Sequence, residues 1–293
     1  MKRLVGAIVL MIAALNWAAA QHTELNSRQA GYDFTVDGVN YGIVYKRVSD
    51  SELRMTDTVE VRIGSMIPAD GHLSIPAEVE FGGRRYIVGI IDFDAFQNRE
   101  ELKSLSLPPT ITFIGSRAFS GCQNLEDINI PNGVEELLVW TFRYCKKLTE
   151  VELPPSVKEL EEGAFDESGI KYIELPQGTN RIIGWEMFGP GHYLDYIKLP
   201  ASVSVISDLK CKVVDYYGNG FKVEYIIKDT KCKYLLLHTV TPFNPFGESK
   251  KKYMLKFAKG CTVYVPDEAV AVFRAHPEWQ LFKAVKPLSD YKK

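Results

Sequence analysis

The sequence lacks a surplus of charge of either sign, because 35 Lys and Arg residues balance 37 Asp and Glu residues in a chain of 293. A nucleic-acid binder usually carries a basic surplus, so we expect no nucleic-acid partner. The 46% hydrophobic and 25% charged residues are ordinary globular values, and they exclude collagen, coiled coil and general disorder. No stretch after the N-terminus reaches about eighteen apolar residues, which predicts no transmembrane anchor.

Motifs of catalysis and metal binding are also absent from the sequence. We find no G-x-S-x-G elbow, no H-E-x-x-H pair, no P-loop and no dinucleotide fingerprint. The five cysteines form no C-x-x-C pair, and the five histidines never fall at ligand spacing. His192 is the most suggestive single residue, but a lone loop histidine is usually only solvated. The sequence therefore predicts a protein that is not an enzyme and that has no cofactor and no metal.

The N-terminus has the order of a secretory signal peptide. Lys2 and Arg3 precede an uncharged apolar run over Leu4–Leu15, and the small residues Ala18–Ala20 follow. The run is too short for a comfortable membrane span, so we interpret residues 1–20 as a signal peptide that is removed on export. The prediction is a secreted or cell-surface protein, with the periplasm as the alternative.

What the sequence does contain is an internal repeat of 23 residues. Five phenylalanines follow one another at this step: Phe96, Phe119, Phe142, Phe165 and Phe188. A second apolar series keeps the same step and comprises Ile91, Ile114, Leu137, Leu160, Ile183 and Ile206. Because chance does not produce two such series, the period indicates a repeat architecture in which the phenylalanines form a structural ladder.

A short strand pattern, L-x-x-L-x-L-P, recurs between the two series. Its apolar residues are expected to point inward, and the proline ends the strand because it has no N–H to donate. One repeat cannot bury its apolar face alone, so neighbouring repeats must stack with their strands about 4.8 Å apart. We therefore predict a β-rich repeat solenoid, built as a parallel β-sheet stack with a 23-residue period.

One repeat carries the resemblance to a known family. Ile114–Pro131 has the pattern I-x-x-x-A-F-x-x-C-x-x-L-x-x-I-x-I-P. This pattern resembles the BspA-type leucine-rich repeat of secreted and surface proteins from Bacteroidetes-like bacteria, and the resemblance is strong over residues 86–210. It implies a noncatalytic protein associated with attachment to host matrix proteins, other bacteria or surfaces.

Both ends of a parallel stack need caps, because otherwise strand edges and apolar repeats stay exposed. Residues 21–85 alternate apolar and polar between glycine turn signals, which predicts an N-terminal cap of antiparallel β-hairpins. Residues 86–210 form the predicted leucine-rich repeat solenoid. Residues 211–293 are predicted to be a C-terminal β/α capping module, with a short helix near residues 268–275 and one degenerate repeat around Cys232–Leu235.

Three cysteines fall in one apparent repeat register. Cys122, Cys145 and Cys232 are expected as free thiols in the core, since this position takes a small buried hydrophobe. Cys211 stands where the sixth phenylalanine would fall. A disulfide from Cys211 to Cys232 or to Cys261 is the alternative for an exported chain.

The outward positions of the strands are expected to align in columns across the repeats. One column carries Asp127, Glu150, Tyr172 and Tyr196, and the next carries Glu152 and Glu174. Carboxylates side by side repel each other and cost some stability. An acidic patch bordered by two tyrosines is a candidate ligand face for a protein or glycan, although a solvated face is the plainer interpretation.

Two functional hypotheses remain. The first is a noncatalytic binding or adhesion protein that presents the solenoid face to a protein or glycan partner, such as host matrix or another bacterial surface. The alternative is a structural or accessory component of a bacterial envelope assembly. Charge is split along the chain, because residues 86–210 carry 19 acidic and 11 basic residues whereas residues 211–293 carry 8 and 15. The plainer interpretation of the basic end is solvated lysines on a closing module. The alternative is salt-dependent attraction between opposite ends of neighbouring molecules, or of the basic end to acidic cell-surface polymers.

Overall fold

The computed structural model describes residues 32–49, 52–182, 194–200, 205–206, 211–216, 233–242 and 258–292. Phe188, His192 and Cys232, together with residues 1–20, lie outside the described residues. The strands are β1 Phe34–Val36, β2 Val39–Ser49, β3 Glu52–Val61, β4 His72–Ser74, β5 Glu78–Phe81, β6 Arg84–Ile91, β7 Ser104–Ser106, β8 Phe113–Ile114, β9 Asp127–Ile128, β10 Glu136–Leu137, β11 Glu159–Leu160, β12 Tyr172–Glu174, β13 Arg181–Ile182, β14 Leu194–Leu199, β15 Val205–Ile206, β16 Cys211–Tyr216, β17 Tyr234–Leu237, β18 Thr262–Val265 and β19 Ala284–Pro287. The helix α1 Val270–Ala275 stands among the 3-10 helices Asp267–Ala269, Trp279–Leu281 and Leu288–Asp290. In this described part, no helix is both long enough and apolar enough to span a bilayer.

The N-terminal part combines hairpins with parallel pairing. Strands β1, β2 and β3 pair antiparallel in that order, and β5 pairs antiparallel with β6. However, β3 pairs parallel with β6, and β4 pairs parallel with β7. Leu73 of β4 is in register with Leu105 of β7, and both side chains are buried. The phrase Leu73–Pro76 therefore already occupies a strand position of the repeats, ahead of the boundary expected at residue 86.

The repeats contribute strands to two sides of the molecule. On one side β4, β7 and β9 pair in parallel, and β12, β14, β16, β17, β18 and β19 form a second parallel sheet. We call the outer surface of these two sheets the strand face. On the other side β10, β11, β13 and β15 pair in parallel, and β6 pairs with β8. The pairing of Leu137 with Leu160 keeps the 23-residue step of the sequence.

The phenylalanine series stacks in the core. Ring centroids lie 5.7 Å apart between Phe96 and Phe119, 5.3 Å between Phe119 and Phe142, and 5.6 Å between Phe142 and Phe165. All four side chains have 0% exposure. The inward residues of the strands belong to the same buried cluster, which continues to Phe273 of helix α1. A single apolar core thus runs from the N-terminal strands to the C-terminal helix.

In the four repeats that carry Phe96, Phe119, Phe142 and Phe165, two positions take the left-handed backbone conformation. The φ angles are 57°, 58°, 58° and 60° at Asp94, Arg117, Trp140 and Gly163, and 58°, 79°, 58° and 54° at Asn98, Gly121, Tyr144 and Glu167. An L-residue with a side chain is strained in this region, so its recurrence marks a turn that each repeat must make in the same way.

At one of these positions the backbone conformation favours glycine. Gly121 has φ +79°, and a Cβ atom there would also displace the amide end of the Asn98 side chain in the preceding repeat. We expect Gly121→Ala to lower the free energy of unfolding by about 1–2 kcal/mol. Urea unfolding measures the loss. Gly260→Ala, where no atom lies within 4 Å of the added methyl group, is the control and should stay within about 0.5 kcal/mol of the parent. Equal stabilities of the two variants would contradict the prediction.

The parallel sheet continues beyond the last regular repeat, but in a different register from the one predicted. Cys211 pairs with Leu194, so it takes the place of a strand leucine and the sixth phenylalanine position assigned to it is wrong. Val213 pairs with Tyr196 and with Tyr234, which puts Leu235 level with Ile197. Cys232 lies outside the described residues, so the register predicted for it stays a prediction. The paired Leu194 and Cys211 are 17 positions apart in the sequence, so the 23-residue period does not hold at this step.

Candidate functional site

The outward residues of the strand face are exposed over the middle repeats. This holds for five of the candidate residues, namely Asp127, Glu150, Glu152, Tyr172 and Glu174. Tyr172 is 56% exposed, although tyrosine normally buries much of its ring. Tyr172 pairs with Tyr196, and Glu174 pairs with Lys198. The pairing aligns the two columns across neighbouring repeats.

The strand face is interrupted between β9 and β12. Residues 148–153 run between these strands without strand structure, although Leu148 and Leu153 are buried in the same way as strand leucines. A groove of about 1180 Å³ begins at this interruption and extends along the face toward the C-terminus. Five of the six candidate face residues line it, namely Glu150, Glu152, Tyr172, Glu174 and Tyr196. Asp127 is exposed on the face but does not line the groove.

Tyrosines wall the C-terminal end of the groove. Tyr234 and Tyr291 line it, with ring centroids 5.9 Å apart in an edge-to-face arrangement. Tyr264 lies against both rings, 6.1 Å from Tyr234 and 5.2 Å from Tyr291. Burial, followed by the neighbouring Tyr234, raises the pKa of Tyr264, so its phenol stays neutral. The three rings form an aromatic cluster at this end of the groove.

Tyr196 keeps the register of the column but is covered. Its side chain is 9% exposed and packs with Leu236 and Tyr264, while Leu288 and Tyr291 pack against the same cluster. The chain after β19 therefore turns back over the outer surface of the sheet. Tyr196 lies at the bottom of the groove rather than on an open face.

Tyr234 and Tyr291 carry no site signal in the sequence. Tyr234 belongs to the tyrosine column, but this is visible only once its pairing with Val213 is known. Tyr291 follows the last strand and carries no repeat signal.

The charges of the groove are unevenly paired. Lys198 Nζ lies 2.8 Å from Oε2 of Glu174, and this ion pair crosses from one repeat to the next. Glu150 and Glu152 are exposed, and within the described chain neither carboxylate forms an ion pair or a side-chain hydrogen bond. Lys233 lines the far end of the groove. The end near the strand interruption is therefore the acidic end.

No group of histidine, cysteine and acidic side chains in the described residues could hold a metal ion. His72 Nδ1 and Ser104 Oγ lie 2.7 Å apart on the strand face, a contact that the sequence did not predict. Both side chains are near the surface, and Asp70 accepts a hydrogen bond from the His72 backbone rather than from its ring. A serine nucleophile needs an oriented histidine and an enclosed site, and this pair does not supply them.

The described cysteines are core residues. Cys122, Cys145 and Cys261 are buried and form no disulfide, so the alternative pair Cys211–Cys261 is not present. The thiol of Cys122 donates to the Phe96 carbonyl at 3.0 Å, and that of Cys145 donates to the Phe119 carbonyl at 3.2 Å. Burial raises the pKa of Cys122 to about 12 and that of Cys145 well above its usual range. Both remain thiols and are poor nucleophiles.

The chain is similar to known proteins in sequence and in structure. A family model described as the BspA type leucine rich repeat region matches residues 89–210 in six copies. A leucine-rich repeat protein from Bacteroides ovatus ATCC 8483 is similar in structure, with a TM-score of 0.52 and 21% identity over 89% of this chain and 78% of that protein. A leucine-rich repeat protein of T. pallidum has a TM-score of 0.49 and 21% identity over 62% of this chain and 85% of its own. No curated protein matches the chain.

The family match and the similarity to the Bacteroides ovatus protein agree on the same fold. The match also covers the phenylalanine ladder and most of the residues that line the groove. The chain therefore has the leucine-rich repeat fold and carries a BspA-type leucine-rich repeat region at residues 89–210.

Proposed function

We propose that this chain is a noncatalytic, exported binding protein that holds a protein or glycan partner in the groove of the strand face. The groove carries the proposal. It combines the exposed ring of Tyr172, the tyrosines at its C-terminal end and the free carboxylates of Glu150 and Glu152. Aromatic residues with a polar surround are typical of recognition surfaces.

The wider architecture supports this use of the strand face. In the proposal, stacked repeats form a solenoid that residues 21–85 and 211–293 cap at its two ends. Repeat arrays of this kind present extended surfaces to their partners. Export to the cell surface or beyond is inferred from the signal-peptide pattern of residues 1–20.

A binding screen with matched variants tests the proposal. The chain without residues 1–20 is applied to an array of glycans and extracellular matrix proteins, and each hit is titrated. We expect the double variant Glu150→Lys/Tyr172→Ala to bind the hit about ten-fold or more weakly, because one aromatic anchor and one charge of the groove are lost.

The control makes the same chemical changes away from the groove. Glu162→Lys/Tyr144→Ala also reverses one exposed carboxylate and removes one exposed ring, and neither residue lines the groove. This variant should bind within about two-fold of the parent. A groove variant that binds every hit as strongly as the parent, or an array without any hit, would overturn the proposed function.

A further inference from the structure

We propose that the groove binds a cationic, extended peptide segment of a protein partner, with an Arg or Lys side chain held between the carboxylates of Glu150 and Glu152 and the ring of Tyr172. This inference rests on the proposed function, because it names the occupant of the same groove.

Charge complementarity is the first argument. Glu150 and Glu152 both face solvent from the interrupted strand position, and no cation of the described chain pairs with either carboxylate. Their neighbour Glu174 is the one that Lys198 already neutralises. The surrounding repeat region, residues 86–210, carries 19 acidic and 11 basic residues. Like charges held together repel each other, and a bound cation removes that repulsion, whereas a neutral sugar does not.

The aromatic residues give the second argument. Tyr172 follows Glu150 by one repeat, since the Lys171 amide donates to the Thr149 carbonyl at 3.4 Å. Its ring is 56% exposed and so is free to receive a cation on its face. Tyr234, 37% exposed, offers a second ring at the other end of the groove.

The chain holds one of its own arginines by the same chemistry. In the turns that follow strand β10, the Arg143 guanidinium lies 4.9 Å from the ring centroid of Trp140 and 4.6 Å from that of Tyr144. Its Nε also lies 2.7 Å from Oδ2 of Asp166. An arginine between aromatic faces and a carboxylate therefore occurs in this fold. The groove supplies the aromatic face and the carboxylates but no arginine from the described chain.

The length of the groove fits a peptide. Across the strand face, the strand position of Glu150 is followed on successive neighbouring strands by those of Tyr172, Tyr196, Val213 and Tyr234. Four steps of about 4.8 Å between neighbouring strands give the groove a length of about 19 Å. An extended peptide, at about 3.3 Å per residue, spans this length with about six residues. Small-molecule pockets typically have volumes of about 300–1,000 Å³, and this open groove of about 1180 Å³ exceeds that range.

Fluorescence anisotropy with a labelled peptide of alternating Arg and Thr, about eight residues long, tests the proposal on the chain without residues 1–20. We expect the Arg peptide to bind about ten-fold more tightly than the same peptide with Gln in place of Arg. The variant Glu150→Gln/Glu152→Gln should lose about ten-fold in affinity. Tyr172→Leu should lose about three- to ten-fold, and Tyr172→Phe should restore binding because it keeps the ring face.

A charge-matched control separates groove binding from general attraction. Glu80→Gln/Glu162→Gln removes the same two charges from exposed positions outside the groove. It should bind the Arg peptide as the parent does. Any of three results would overturn the cationic occupant. The two double variants could lose equal affinity for the Arg peptide, the Arg and Gln peptides could bind equally, or a neutral oligosaccharide could bind the groove more tightly than the Arg peptide.

The two proposals fail in different ways. If an array hit binds Glu150→Lys/Tyr172→Ala more weakly than the parent while the Arg peptide binds Glu150→Gln/Glu152→Gln with unchanged affinity, only the cationic occupant is wrong. If every array hit binds Glu150→Lys/Tyr172→Ala as strongly as the parent, the proposed function itself is wrong.

Discussion

Replacing Phe142 with alanine is expected to lower the free energy of unfolding by about 3–5 kcal/mol. Phe142 has 0% exposure and stands in the middle of the ladder, 5.3 Å from the ring of Phe119 and 5.6 Å from that of Phe165. Truncation removes both stacking contacts and leaves a cavity. Each neighbouring ring is fixed by its own repeat, so the cavity cannot collapse freely.

Urea and thermal unfolding measure this loss. A change of this size lowers the melting temperature by roughly 6–20 °C in a chain of this length class. Thr149→Ala, an exposed substitution in the same repeat, is the control and should stay within about 0.5 kcal/mol of the parent. A Phe142→Ala variant that melts with the control would show that the ladder does not hold the repeats together.

The repeat core was predictable because its signal is periodic. The phenylalanine step brings Phe96, Phe119, Phe142 and Phe165 into contact, and each stacks on the next. Burial of one ring against the next requires equal spacing, so the period records the contacts directly. The inward strand residues follow for the same reason, as Leu105 and Ile128 illustrate by their pairing and burial.

The ends of the array were not predictable by counting. Leu73 lies in a strand that pairs in parallel with the first strand of the regular repeats. The hairpin of β5 and β6 follows it in the sequence and interrupts the 23-residue period there. After Leu194 the step shrinks to 17 residues, which places Cys211 at a strand position rather than at the predicted phenylalanine position. Hydrogen bonding between strands fixes the register there, and the loops between them vary in length.

The candidate site was predictable in its columns but not in its shape. Alternation along the strands indicates that Glu150, Glu152 and Tyr172 face outward, and their exposure shows it. The groove depends on two non-periodic events, the interruption at residues 148–153 and the chain after β19 that returns over Tyr196. Neither leaves a pattern in one sequence.

A buried charge cluster joins the N-terminal strands to the first repeat. Glu60 of β3 is 4% exposed and forms an ion pair with Arg62, whose Nε lies 3.4 Å from Oδ2 of Asp92. Burial, and then the negative charge of Asp92, raise the pKa of Glu60 from its ordinary 4.5 to about 7. Arg62 acts in the opposite direction, and Asp33 adds a smaller upward contribution. Arg62 therefore interacts with two neighbouring buried carboxylates, those of Glu60 and Asp92.

This cluster predicts that stability falls with rising pH near neutrality. Because the folded state holds the Glu60 proton more tightly than the unfolded state, its contribution is complete below about pH 4.5 and is lost as the pH rises through about 7. We expect Glu60→Gln, which stays neutral, to gain about 2–3 kcal/mol relative to the parent between about pH 5 and about pH 8. Urea unfolding at both pH values measures the gain. The exposed Glu80 provides the control variant, Glu80→Gln, which also replaces one carboxylate by an amide in the N-terminal sheet. Parallel pH profiles for Glu60→Gln and the parent would mean that Arg62 compensates Glu60 fully and that the junction does not respond to pH.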